Sequence, residues 1–258
     1  MSTTQPEGTA KPEETAQPEV VLDLDLPSGG RVRTTWTAPV GEGRGWAWVQ
    51  HGFMRSGAGL AGLAGLLARA GYAVVRPDVP SLRPTRSMHD ARWLTEVALT
   101  VSRAVDVGIP QSRGIHASGA WALLGHSAGG AVAVHAAACL GARHRGADVS
   151  ALLLLDPVDT VGGLLAAALP GAPRGLAHAC RPSRCNRGGV TVRALADQGW
   201  PVVDHPGLAH PDPERIPASG LADDVPEAPA WLGALCGTPG SGEDVAALAR
   251  EVQAELLD

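Results

Sequence analysis

The chain has 258 residues, 45% of them hydrophobic, which suits one α/β domain with a substantial core. Its formal net charge is −5, from 26 acidic and 21 basic residues, so nothing recommends nucleic acid as a partner. No apolar run is long enough to span a membrane, and the start lacks the basic and apolar regions of a secretory signal; the expectation is a soluble cytoplasmic protein.

Residues 1–19 are Thr, Pro, Glu, Gln and Ala without apolar periodicity, and read as a disordered tail ahead of a domain over residues 20–258. Residues 20–26 and 32–37 alternate apolar and polar around Pro27-Ser28-Gly29-Gly30, the pattern of a β-hairpin at an antiparallel edge. Gly45-Trp-Ala-Trp-Val-Gln50 is the next strand. A helix over 60–70 closed by Gly71 and a strand over 72–76 follow. Helical spacing resumes over 91–105, with Ser87 or Asp90 as the cap.

Trp121-Ala122-Leu123-Leu124 reads as a buried strand, and residues 131–140, nearly all Ala, Val and Leu, as a buried helix. Between them stands Gly125-His126-Ser127-Ala128-Gly129, a Gly-x-Ser-x-Gly turn that lifts a serine hydroxyl above the edge of a parallel sheet. Strands over 151–155, 176–180 and 200–203, and helices over 190–198 and 243–257, complete the pattern. Alternating strands and helices predict a mostly parallel central sheet with helices on both faces. Residues 170–189, rich in Arg, Pro and Gly, are the candidate cap or substrate-entry loop.

A second signal competes. Gly57-Ala58-Gly59-Leu60-Ala61-Gly62 matches G-x-G-x-x-G, and Asp78 lies 21 residues after Gly57. This is the dinucleotide fingerprint of flavin- or nicotinamide-dependent oxidoreductases. Against it, His51 to Ser56 separate the first glycine from the strand end, where a pyrophosphate must meet a helix N-terminus. Close packing of an Ala/Leu-rich helix on the sheet explains the glycines without a cofactor.

A serine nucleophile needs a base, and the base an orienting carboxylate, in the chain order Ser, acid, His. No Asp or Glu occurs between Thr160 and Ala196, which points to Asp156, directly after Leu152-Leu153-Leu154-Leu155. Pro157 is expected to hold Asp156 extended. Asp159 is the rival acid, or a helix cap. Among the later histidines, His178 lies in a strand and reads as a core residue, and His205 ends the last strand. His210, behind Gly207, is favoured as base. The oxyanion donors are expected to be the N–H groups of Ala128 and Phe53, with Met54 as the alternative to Phe53.

His51-Gly52-Phe53, the Gly125–Gly130 turn and Leu155-Asp156-Pro157-Val158-Asp159 together resemble α/β-hydrolases of the chlorophyllase-like group and, more distantly, the cutinase and dienelactone hydrolase groups. The resemblance implies an α/β-hydrolase fold in which Ser127 and Asp156 act in hydrolysis of a small-molecule carboxylic ester, with no metal or organic cofactor. Ala128 stands where the chlorophyllase turn has arginine. A catalytically silent binding protein on the same fold is the remaining alternative.

Of the four cysteines, Cys139 reads as a small core residue. Cys180, Cys185 and Cys236 fall near loops, where one pair has the chance to bridge, yet free thiols are the expectation in a cytoplasmic setting. Their spacings fit no zinc pattern.

Overall fold

A computed structural model describes residues 18–143, 149–160 and 163–257. Residues 1–17 of the expected tail lie outside the described residues. The last residue of that tail, Glu19, begins a strand and pairs with the buried Arg76 guanidinium.

The hairpin forms as read, from β1 (Glu19–Asp25) and β2 (Arg31–Thr37). β3 (Gly45–Gln50), α1 (Ala61–Arg69) and β4 (Tyr72–Pro77) follow, with Gly71 at φ +89° making the turn out of α1. α2 (Ala91–Asp106) is capped by Asp90, whose carboxylate accepts from Trp93 N–H. Then come β5 (Trp121–His126), α3 (Gly129–Arg143), β6 (Val149–Leu155) and a short α4 (Leu164–Ala168). β7 (Leu176–Cys180), α5 (Val190–Asp197), β8 (Val202–His205), α6 (Ala230–Cys236) and α7 (Gly242–Leu257) complete the chain.

The eight strands form one sheet in the order β1-β2-β4-β3-β5-β6-β7-β8. β2 meets β4 antiparallel, and from β4 through β8 all neighbours are parallel. β3, β4 and β5 are buried along their whole length, which is why they read as continuous apolar runs rather than alternating ones. α2, α3, α4 and α5 cover one face through Trp93, Val97, Val134, Leu165 and Leu195. α1 and α7 cover the other through Leu63, Leu67, Leu248 and Val252.

Within residues 170–189 the expected strand over 176–180 forms as β7, and 181–189 make a turn beyond the sheet. One expectation is overturned: not all cysteines are free. Cys185 in that turn is bonded to Cys236 at the end of α6, with Cα atoms 5.1 Å apart, while Cys139 and Cys180 remain thiols. Fifty-one positions separate the two cysteines, so spacing gave no hint that α6 would bring them together.

Candidate active site

The turn between β5 and α3 is fixed by contacts that tolerate nothing larger than hydrogen. A β-carbon on Gly125 would stand 2.3 Å from the Gly129 carbonyl oxygen, and one on Gly129 would stand 2.4 Å from that of His51. With both neighbours pinned, Ser127 takes φ +56°, the left-handed region that costs an ordinary residue energy. The strain is held by two hydrogen bonds to the end of β6: Ser127 N–H donates to Leu155 O at 3.0 Å, and Val158 N–H to Ser127 O at 3.0 Å.

Those bonds set Asp156 beside the serine turn. Its φ is +45°, so the expectation that Pro157 keeps it extended fails. Asp156 N–H donates to His178 O at 2.7 Å, which turns the residue at the strand end and buries its carboxylate completely.

His210, in the loop after β8, completes a line. Its Nδ1 lies 2.6 Å from Asp156 Oδ2, and its Nε2 lies 2.9 Å from Ser127 Oγ. A fully buried carboxylate fixes the ring with Nδ1 as donor and leaves Nε2 to accept from the serine. Burial pushes the His210 imidazole below the ordinary histidine range, against the opposing pull of Asp156, so the ring is neutral at neutral pH. Serine, imidazole and carboxylate are 7%, 8% and 0% exposed.

Three groups around this line were invisible in the sequence. Asn186, from the turn after β7, donates its amide to Asp156 Oδ2 at 3.0 Å and to Arg181 O at 3.0 Å. Cys180 N–H donates to Asp156 Oδ1 at 3.2 Å. His126 contacts the His210 carbonyl oxygen through Nε2 at 2.8 Å, and its Nδ1 lies 3.3 Å from Glu214, a contact more electrostatic than hydrogen-bonded. Burial works to raise the Glu214 carboxyl, but His126 and Arg55 outweigh it and hold it below its usual range.

The remaining candidates lie elsewhere. Asp159 N–H donates to Thr191 Oγ1 and its carbonyl accepts from Arg187; neither contact involves His210. The residues that Asp159 was expected to cap, 161–162, lie outside the described residues. His205 Nε2 is 2.9 Å from His178 Nδ1, away from Ser127. Burial, with His205 beside it, lowers His178 to about 4.

The His51–Met54 loop lies directly over the serine: a β-carbon on Gly52 would stand 2.9 Å from Ser127 Cβ. His51 steadies it, since its Nε2 accepts from Val79 N–H at 3.0 Å and its Nδ1 can then donate to Gly52 O at 2.9 Å. Met54 N–H is committed to Ser81 Oγ at 2.9 Å. Among the described residues, the N–H groups of Phe53 and Ala128 carry no hydrogen bond. The Phe53 ring is only partly buried and meets His89 at 5.8 Å between centroids.

The glycine run after β3 has other work. Gly57 N–H donates to Asp78 Oδ1 at 2.8 Å, so the amide that a pyrophosphate would need and the carboxylate that a ribose would need satisfy each other. A β-carbon on Gly62 would stand 2.0 Å from Ile216 O, and one on Gly65 2.6 Å from Ala218 Cβ. These glycines admit the 216–218 segment against α1, rather than the sheet as expected. A groove of about 1220 Å³ between β1 and α2 shares no residue with the Ser127 cluster.

A mostly parallel sheet bearing a strained serine at one strand end defines an α/β-hydrolase. Residues 35–257 match the model of the alpha/beta hydrolase family, and the chain belongs to that family. Similar solved folds include a dienelactone hydrolase from Anabaena variabilis, 15% identical, TM-score 0.58, covering 94% of this chain and 98% of that one. Carboxyl esterase 2 from the mycorrhizal fungus Tuber melanosporum is 14% identical, TM-score 0.62, over 96% and 89%. A hyperthermophilic esterase from the archaeon Pyrobaculum calidifontis is 18% identical, TM-score 0.56, over 95% and 86%. No curated protein matches the chain in sequence.

Proposed function

We propose that the protein hydrolyses carboxylic esters of small molecules through an acyl-enzyme on Ser127. The observation that carries this reading is the unbroken line from Ser127 Oγ through His210 to the buried Asp156, with contacts of 2.9 and 2.6 Å.

In this reading Ser127 Oγ attacks the ester carbonyl carbon while His210 Nε2 takes the hydroxyl proton. Asp156 stays ionised and holds the imidazolium through Nδ1–H. The carbonyl oxygen becomes an oxyanion facing the N–H groups of Phe53 and Ala128, at the N-terminal end of α3, where unpaired amides favour negative charge. His210 passes its proton to the departing alkoxide, leaving an ester on Ser127. Water then attacks that ester, His210 takes a proton from it, and the free acid leaves with Oγ protonated again.

Esterases stand among the similar folds, in keeping with an ester as substrate. Likeness to the chlorophyllase-like group extends to the serine turn and the Asp156 segment, with Ala128 in place of its arginine. The substrate class is therefore kept at small carboxylic esters.

A fluorophosphonate probe is expected to label Ser127 in the folded protein and not the Ser127→Ala variant. That substitution should also lower turnover of p-nitrophenyl esters by several powers of ten. Absent labelling would instead favour a catalytically silent binding protein on this fold.

A further inference from the structure

The face of the sheet under α7 carries two histidines that the Ser127 chemistry leaves unused. His178 and Cys180 of β7 project to the same side, since alternate residues share a face, and Cys180 packs in the core beneath α7. His205, opposite Cys180 in the parallel pairing, ends β8. From α7 itself comes Glu251.

Their ligand atoms converge. His178 Nδ1 and His205 Nε2 are 2.9 Å apart, and Glu251 Oε2 lies 3.4 Å from the second and 3.8 Å from the first. Tetrahedral zinc with bonds of about 2.0–2.1 Å places its ligand atoms about 3.3 Å apart, so these separations bracket the required triangle. Two imidazoles and a carboxylate form a donor set that zinc and its neighbours in the first transition series accept well.

His178 is 1% exposed, and its Nδ1 is the ring nitrogen that faces His205 and Glu251. His205 and Glu251 are only partly buried and give an ion a path from solvent.

We propose that His178, His205 and Glu251 bind a divalent transition-metal ion of the zinc class, with water as fourth ligand, at the seam between β7, β8 and α7. The ion would tie the C-terminal helix to the sheet edge. It would also stiffen β7 on both sides of Asp156, because His178 O accepts from Asp156 N–H and Cys180 N–H donates to its carboxylate. Its ligands are separate from Ser127, Asp156 and His210.

The test uses the full chain, stripped with chelator and titrated with zinc and with cobalt. One ion per chain is expected, a raised melting temperature, and with cobalt the visible absorption of tetrahedral coordination. His205→Ala and Glu251→Gln should each weaken binding about tenfold or more, and neither side chain is needed to fill the core. His210→Ala should leave binding unchanged, which separates this site from the imidazole beside Ser127. Failure to bind at submillimolar ion, binding that survives both His205→Ala and Glu251→Gln, or binding lost with His210→Ala would each overturn the proposal. In that event the cluster is a hydrogen-bonded clasp between the two rings.

Discussion

Gly52 and Ser127 are in such close approach that a methyl group on the glycine would stand 2.9 Å from Cβ of the serine and 3.3 Å from its Oγ. Backbone therefore passes over the hydroxyl where a side chain would otherwise lie, and the amide of Phe53 follows directly. Gly52→Ala must push that loop away. The expected result is a loss of ester turnover of about a hundredfold, comparable to removing one oxyanion donor. Gly52 is buried, so a fall in melting temperature should accompany the loss. Steady-state kinetics beside a thermal melt checks this, and turnover within twofold of wild type would show that the loop contributes nothing.

Asn186 supplies Asp156 with a buried amide hydrogen bond at 3.0 Å. Asn186→Ala leaves that carboxylate oxygen with His210 alone and should cost about 1–3 kcal/mol of stability. Asn186→Asp should be worse for turnover than Asn186→Ala. It sets a second carboxylate against the first, and like charges at this range force a proton onto one of them. A reversed order of the two kcat values would contradict the role given to the amide.

The bond between Cys185 and Cys236 closes a span of 51 positions and anchors the turn that carries Asn186. On a chain-entropy argument its loss costs about 4 kcal/mol. Reduction by dithiothreitol should lower both the melting temperature and ester turnover of the wild type. A Cys185→Ser/Cys236→Ser double variant should start low and be indifferent to the reductant.

Activity should fall on acidification with a midpoint below the ordinary histidine value. Burial lowers the His210 pKa, so the neutral base persists as pH drops through about 6.5 and is lost only further down. His51 and His135 are lowered for the same reason. The unfolded chain then binds more protons than the native one below about pH 6.5, and stability declines as pH falls through that range. A kcat/KM profile whose acid limb is centred above 6.5 would contradict the burial of His210.

Much of the architecture was legible because its strands are short, apolar and bounded by glycine or proline. β3 falls where the pattern put it, since both of its faces are buried and a glycine opens it. β8 was expected over 200–203 and runs over Val202–His205. Trp200 packs into the core, and Pro201, with no N–H to give, contributes only its carbonyl to Ala177. α4 and α6 escaped notice because five and seven residues are too few to show a helical period.

Ser127 announced itself through local geometry, and Asp156 through the scarcity of acids after it. Asn186 could not be foreseen, since nothing near it in sequence marks an amide that meets a carboxylate 30 positions away. Glu214 was hidden in the same way, 88 positions beyond the His126 it touches.

The order of these parts along the chain also governs when they can meet during synthesis. Ser127 and Asp156 emerge from the ribosome early, but His210 follows β8, and Cys185 must wait for Cys236. A nascent chain that has reached only α5 thus holds a hydroxyl without its imidazole and an Asn186 turn without its anchor. On the proposed mechanism, chemical competence arrives with the final fifth of the polypeptide, and a product that ends before His210 would lack its base.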